Sequence, residues 1–220
     1  NDSTITAKIL VEAIGKDRVI GVLMPNKYQS DIDVARSVCE YLDIDSIEID
    51  INDAYLGIAD KVSSVMENCE NAMITNLPAR LRMATLYAVA QNLPNGGRVA
   101  NTCNYSEDYI GYSTRYGDAA GDFSLLSKFT VEEVKQIGNI LGIPSEFVNK
   151  VPTDGLCGAT DEDNLGFTYR QLDEYIHTNE CVDKDVKNKI DNLHNLNSFK
   201  MKPIPCCPNY ENLRTIKVEK

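Results

Sequence analysis

Asn1-Asp2-Ser3-Thr4-Ile5-Thr6-Ala7-Lys8-Ile9-Leu10-Val11-Glu12-Ala13-Ile14-Gly15 opens the chain, and Arg18-Val19-Ile20-Gly21-Val22-Leu23-Met24 follows it. Ile5 and Ile9 share one helical face and Gly15 is a stop signal, so a helix is expected over 4–14, with a strand over the apolar run 18–24. The short turn ahead of the helix carries a carboxylate and a hydroxyl. A helix start offers free backbone N–H groups and the positive end of the dipole, which suit a polyphosphate and its metal. Asp2 would then hold Mg²⁺ and Ser3 a phosphate oxygen. The competing reading is that Asn1, Asp2 or Ser3 simply caps the helix, and on three residues alone capping is the simpler account. The turn reads as the second half of a phosphate-binding loop, with the first half expected ahead of Asn1.

Working outward, the alternation of strand and helix continues. A helix over 31–42 turns Val34, Val38, Tyr41 and Leu42 inward, Ser46 to Ile51 alternates as a strand, and 56–69 suits a helix. The stretch 79–92 after Pro78 is a strong helix, and Gly96-Gly97 breaks to a short strand over 98–102. This order predicts an α/β fold, a parallel sheet with helices on both faces, whose ligands bind beyond the carboxyl ends of the strands. Asp2-Ser3, Pro25 to Gln29 and Thr102 to Glu107 all fall at such ends. In the second half, Thr130 to Glu133 forms a capping box for a helix ending at Gly142, and Thr168 to Gln171 repeats the device. A helix over 183–196 has an apolar stripe of Val186, Ile190 and Leu193 and a polar remainder, as a surface or interface helix does.

The 220 residues suffice for one core, and no Ser/Gly/Pro-rich linker divides them, so a single domain over 1–220 is expected. The first residue is not Met and no charged-then-apolar leader is visible, which reads as an N-terminally incomplete chain. Seven cysteines at 39, 69, 103, 157, 181, 206 and 207 show neither CxxC spacing nor an even count, which favours a reducing compartment, the cytoplasm by default. A net charge of −11 argues against a surface that wraps nucleic acid. No apolar run is long enough to span a bilayer. A small anionic substrate remains compatible, provided that Arg, Lys and Mg²⁺ are placed locally.

Two stretches are polar without period. Asn101 to Asp122 reads NTCNYSEDYIGYSTRYGDAAGD, with Thr102, Glu107, Arg115, Asp118 and Asp122 among four tyrosines. A solvated loop is the plain alternative, but the tyrosines favour a packed one at the sheet's carboxyl edge. Lys150 to Tyr169 reads KVPTDGLCGATDEDNLGFTY, with Lys150 and Thr153 as phosphate ligands and an acidic cluster at Asp161, Glu162 and Asp163 that would otherwise be an exposed turn. His177 and His194 lie on expected helices as surface residues, and no Cys–His pair is evident.

The NDS start, NLPARLRM (Asn76 to Met83), TCNYSE, GYSTRYGD, KVPTDGL and TDEDNLGFTYRQLDEYI, in this order and reaching to about position 205, resemble the NAD synthetases of the N-type ATP pyrophosphatase group. The resemblance implies an adenine nucleotide alpha hydrolase-like, Rossmann-like fold and the loop Ser-Gly-Gly-x-Asp-Ser, of which this chain begins at x. It implies Mg²⁺ on Asp2 and Glu107, ATP contacts from Ser3, Thr102 and Thr153, and adenine received at Met24 and Gln29. Asn76, Arg80, Arg115, Asp118, Asp122 and Lys200 match places that contact deamido-NAD. The implied reaction is amidation of deamido-NAD to NAD. Its carboxylate attacks the α-phosphate of ATP, an acyl adenylate forms with release of pyrophosphate, and ammonia displaces AMP. Two anions must meet, which explains a cation and basic groups around them, and no protein nucleophile is required. The family resemblance also implies a homodimer, for which the apolar faces of helices 79–92 and 183–196 are candidate contacts.

Departures accompany the matches. Val131 stands where many members have a phosphate-binding Lys, so that contact comes from Lys128, from Lys150 or from nowhere, and Phe199-Lys200 replaces the usual His-Lys. No glutaminase-like segment lies within the 220 residues, so free ammonia, or a domain outside them, is expected to supply the nitrogen. GMP synthetases and tRNA-thiolating enzymes share the loop and sheet, but thiolation would call for paired functional cysteines and a basic RNA face. A nucleotide-binding module without turnover is the remaining alternative, and it would bind ligand without releasing AMP.

Overall fold

The computed structural model describes residues 1–27, 29, 32–66, 71–150 and 160–206. Helix α1 (Asp2–Ile14) starts two residues earlier than its apolar pattern implies, because Asn1 is the cap and its side chain accepts from Asp2 N at 3.0 Å. A 3-10 turn (Lys16–Arg18) then shortens the following strand to β1 (Ile20–Leu23). Next come α2 (Ile32–Leu42) and β2 (Asp45–Glu48), which pairs in parallel with β1 in the register Ile20 to Asp45. Hydrogen bonds from Ile49 N to Leu23 O and from Ile51 N to Pro25 O carry the chain alongside β1 as far as the expected strand end. β2 is exposed at all four positions, so its alternation marks an edge rather than a half-buried strand. Tyr41, expected to face inward on α2, lies at the surface with its ring 5.7 Å from that of Phe147.

Helix α3 (Asn52–Ser63) is followed by α4 (Asn71–Asn92), a 22-residue helix. It runs through Pro78 instead of starting after it, and the buried ring of Pro78 offsets in packing the hydrogen bond that it cannot donate. β3 (Ala100–Asn101) pairs in parallel with β4 (Phe123–Ser124), and between them lies α5 (Tyr105–Ile110). The described strands thus form two separate parallel pairs rather than one continuous sheet. The remaining elements are α6 (Val131–Ile140), α7 (Ser145–Val148), α8 (Asp161–Leu165), α9 (Tyr169–Thr178) and α10 (Lys184–Asn197). The capping boxes at Thr130 and Thr168 both form.

Two buried clusters hold these elements together. Ile5 of α1, Leu126, Val134, Ile143 and Val148 form one, with Ile9 packed against it as its helical spacing requires. The other joins α5, α6, α9 and α10 through Ile110, Val131, Leu172, Tyr175, Val186 and Ile190. Each fully buried aliphatic side chain contributes roughly 1.5–3 kcal/mol. The stripe of α10 is therefore spent on the core, with Leu193 against the same cluster, and is not free to form a dimer contact.

Candidate active site

A cleft of about 1980 Å³ runs from the carboxyl ends of β1 and β3 back between the two strand pairs. Its inner part is apolar, walled by Ile20 to Leu23 of β1, Val99 and Ala100, Leu10 of α1, and Leu86 and Val89 of α4. Its outer part is polar, and there Ser3, Thr102, Glu107, Asp118, Lys150, Asp161 and Lys200 come together from distant parts of the chain.

The outer part is organised by Asn104, which is wholly buried. As the cap of α5 its side-chain oxygen accepts from Glu107 N at 3.0 Å, while its backbone N donates to Glu107 Oε2 at 3.2 Å. Its amide Nδ2 donates to Asp2 Oδ1 at 3.1 Å. Glu107, which lines the cleft, and Asp2, which does not, are thereby joined through Asn104. Burial raises the Glu107 carboxyl well above the usual carboxylate range, and the neighbouring Asp2 charge adds to the effect. Two carboxylates in such a place repel one another, and a divalent cation between them removes the repulsion, so the donor set fits Mg²⁺.

Other expected residues are distributed as follows. Asn76 of α4 lines the cleft and its Oδ1 accepts from Thr114 Oγ1 at 2.7 Å. Asp118 lines it too, and its Oδ1 accepts from Thr114 N at 2.9 Å. Lys200 donates from Nζ to the carbonyls of Gly111 (2.8 Å) and Ser113 (3.0 Å), and burial lowers the pKa of its amine. Met24 and Gln29 line the cleft beyond β1, held by Arg82, whose Nε donates to Met24 O and whose Nη2 donates to Gln29 Oε1. Four expected residues are not among those lining the cleft, and one of them is Asp2, the chain neighbour of the lining residue Ser3. Arg80 is exposed and donates from Nε to Arg115 O at 3.4 Å. Arg115 stands 5.1 Å from the centre of the Tyr116 ring and 5.7 Å from that of Phe199, the stacking face offered by the Phe-Lys departure. Asp122 binds Val99 N through Oδ2 at 2.8 Å and so fixes the entry to β3. Thr153 lies outside the described residues. Of the two lysines left for the contact absent at Val131, Lys150 lines the cleft and Lys128 does not.

Three residues that had seemed structural belong beside the site. Asp161 is buried rather than on an exposed turn, and accepts from Tyr169 Oη at 3.3 Å. Its signal in the sequence was the Thr160 to Asp163 capping box, which turns the first helical position inward. Arg82 lies within NLPARLRM and Asn104 within TCNYSE, where nothing in the sequence distinguishes them from their neighbours. His194 is half-buried and stacked on Tyr109, ring centres 4.3 Å apart, which accounts for it structurally.

Parallel strand pairs flanked by helices, with a phosphate-compatible helix start and paired carboxylates at the strand ends, define a nucleotide-binding α/β protein of the Rossmann-like class. The NAD synthase family pattern matches residues 1–204. The ammonia-dependent NAD(+) synthetase of Methanococcus aeolicus is 38% identical over 178 residues, 80% of this chain and 69% of the relative. That of Alkaliphilus oremlandii is 35% identical over 216 residues, 94% of this chain and 84% of the relative. Among solved structures, the NMN synthetase of Francisella tularensis superimposes with a TM-score of 0.85 at 31% identity, covering 94% of this chain and 85% of its own. The ammonia-dependent NAD synthetase of Campylobacter jejuni does so at 0.71 and 25% identity, with the same coverage. The chain belongs to the NAD synthase family, ligases of NAD biosynthesis.

Proposed function

We propose that the chain amidates deamido-NAD to NAD with ATP and ammonia, and that the cleft mouth around Asp2, Asn104 and Glu107 is where the reaction takes place. The observation that carries this reading is the joining of Asp2 and Glu107 through Asn104 at the edge of a cleft that Ser3 and Glu107 line, in a family member. Mg²⁺ held there would draw electron density from the ATP phosphates and offset their charge. Ser3, at the start of α1, and Thr102 lie where they can orient those phosphates, and Lys150 adds a cation. Thr153 keeps its place in this reading through the family resemblance alone. Met24 and Gln29, steadied by Arg82, receive the adenine. Asn76, Asp118 and Lys200 position the dinucleotide inside the cleft, while Arg80, Arg115 and Asp122 serve it from outside the lining. A carboxylate is a poor electrophile at neutral pH. These residues bring it against the α-phosphate, so that an acyl adenylate forms, pyrophosphate leaves and ammonia displaces AMP. The protein works by position and charge, without a nucleophile of its own.

The apolar inner cleft supports the expectation of a strand leading into Ser-Gly-Gly. It is walled by residues of both β1 and β3, and it would take an extended apolar segment. Residues 1–220 are read as one domain, in a cytoplasmic homodimer that binds no nucleic acid. The exposed Leu56, Ile58 and Ile74 on α3 and α4 support the dimer. A second substrate is favoured by one observation, the likeness to an NMN synthetase at a TM-score of 0.85: nicotinate mononucleotide presents the same carboxylate.

The test is release of AMP from ATP and Mg²⁺ with ammonium and either deamido-NAD or nicotinate mononucleotide. It uses this chain, and this chain extended at its start by a strand ending in Ser-Gly-Gly. NAD from deamido-NAD supports the main reading, and a preference for the mononucleotide supports the second. No AMP with either acceptor in the extended chain sinks both.

A further inference from the structure

We propose that Asn104 is a positioning residue that makes both carboxylates of the metal site bind through one oxygen each. The inference rests on the reading of Asp2 and Glu107 as the cation's ligands. A helix cap needs only a side-chain oxygen, which Ser, Thr or Asp would supply as well as Asn. Asn104 does more. Its Nδ2 engages Asp2 Oδ1, and its backbone N engages Glu107 Oε2, while the cap bond to Glu107 N holds the start of α5 in place. Among the described residues no hydrogen bond reaches Asp2 Oδ2 or Glu107 Oε1. One oxygen of each carboxylate is therefore engaged by Asn104, and the other accepts no hydrogen bond from the described residues.

This arrangement selects among cations. Mg²⁺ and Mn²⁺ take about six ligands at short distance, and Mg²⁺ keeps several waters, so two single-oxygen carboxylates leave room for water and phosphate. Ca²⁺ favours larger shells with two-oxygen carboxylates, which would require Asp2 or Glu107 to give up its bond to Asn104. Because Asn104 is wholly buried, neither bond is readily replaced by water.

Two measurements test the proposal. Crystals soaked in MnCl₂ should show anomalous density bound by one oxygen of Asp2 and one of Glu107, with Asn104 still on the other two. Two-oxygen binding by either residue overturns the role of Asn104 alone. Mn²⁺ bound elsewhere overturns the carboxylate reading beneath it. In solution, Asn104→Ser keeps a cap but cannot reach Asp2. Its Mn²⁺ dissociation constant, read by electron paramagnetic resonance, should rise roughly 10–100-fold, the usual effect of removing a group that orients a ligand. A purely structural role would lower the melting temperature and leave that constant within twofold, which would also overturn the proposal. Should Asn104→Ser fail to fold, the crystal measurement decides.

Discussion

Replacing Asp173 tests whether the site is held from behind. Asp173 of α9 is buried, its Oδ1 accepts from Ser106 Oγ at 2.5 Å, and its Oδ2 accepts from Glu132 N at 3.0 Å. Ser106 Oγ in turn accepts from Val131 N at 3.1 Å, so one carboxylate joins α5, beside Glu107, to the first turn of α6. Asp173→Ala removes two hydrogen bonds to a charged acceptor, worth about 1.5–3 kcal/mol each. Relief of the buried charge returns part of this, leaving a net loss of about 2–4 kcal/mol. For a chain of this size that lowers the melting temperature by roughly 5–15 °C. Asp173→Asn keeps one acceptor and should lose about 1–2 kcal/mol, since one donor still finds its partner. Urea unfolding followed by circular dichroism gives both values. Burial outweighs the hydrogen bonds and raises the Asp173 carboxyl above its usual range. The folded state then holds that proton more tightly than the unfolded one, and wild-type stability falls as pH rises through this window. The Asn variant lacks that slope, so its deficit should be widest near pH 4 and narrow toward neutrality. An Ala variant within about 0.5 kcal/mol of wild type, the range of an ordinary surface substitution, would refute the reasoning.

Three further outcomes follow from the same geometry. Glu107→Gln should abolish Mg²⁺-dependent AMP formation yet raise the melting temperature, because a buried charge beside Asp2 is lost while an oxygen remains for Asn104 N; unchanged turnover would remove Glu107 from the metal site. Gly111 and Gly142 share a left-handed backbone, at φ 62° and 67°, but a Cβ at Gly111 would meet Asn197 Cβ at 2.4 Å while none is near Gly142. Gly142→Ala should therefore cost only the left-handed strain of about 1–2 kcal/mol, and chemical denaturation should show Gly111→Ala losing clearly more, as α10 is pushed away. Arg82→Ala frees the segment after β1, and steady-state kinetics should show the Michaelis constant for ATP rising more than that for the dinucleotide; equal rises would detach Arg82 from the adenine end.

Elements with a local signature were legible in the sequence. The boxes at Thr130 and Thr168 set the starts of α6 and α9, Gly142 ends the first, and Ile5 and Ile9 face the core as their spacing requires. What could not be read was set by partners distant in the chain. Alternation at Ser46 to Ile51 is the same whether a strand is central or at an edge, and what exposes β2 is that among the described strands it pairs with β1 alone. Pro78 ordinarily marks a helix start, and only its burial shows why α4 runs through it. The apolar stripe of α10 fits a dimer face and a core equally well until Ile110 and Leu172 are seen against it.

The same limit explains the site. The candidate charged groups Asp2, Glu107 and Lys200 stand out in the sequence because they announce their chemistry by type. Asn104, Arg82 and Asp173 do not stand out, because their types are common at caps, on helices and on surfaces, and only their hydrogen bonds show what they hold. A charged group at a cleft mouth is useful only in the geometry its neighbours impose, and here those neighbours are drawn from α4, α5 and α9 rather than from the loops that bear the motifs. Variation among relatives that changes how a cation or nucleotide is gripped is therefore expected to fall on these holding residues, while the charged groups stay as they are.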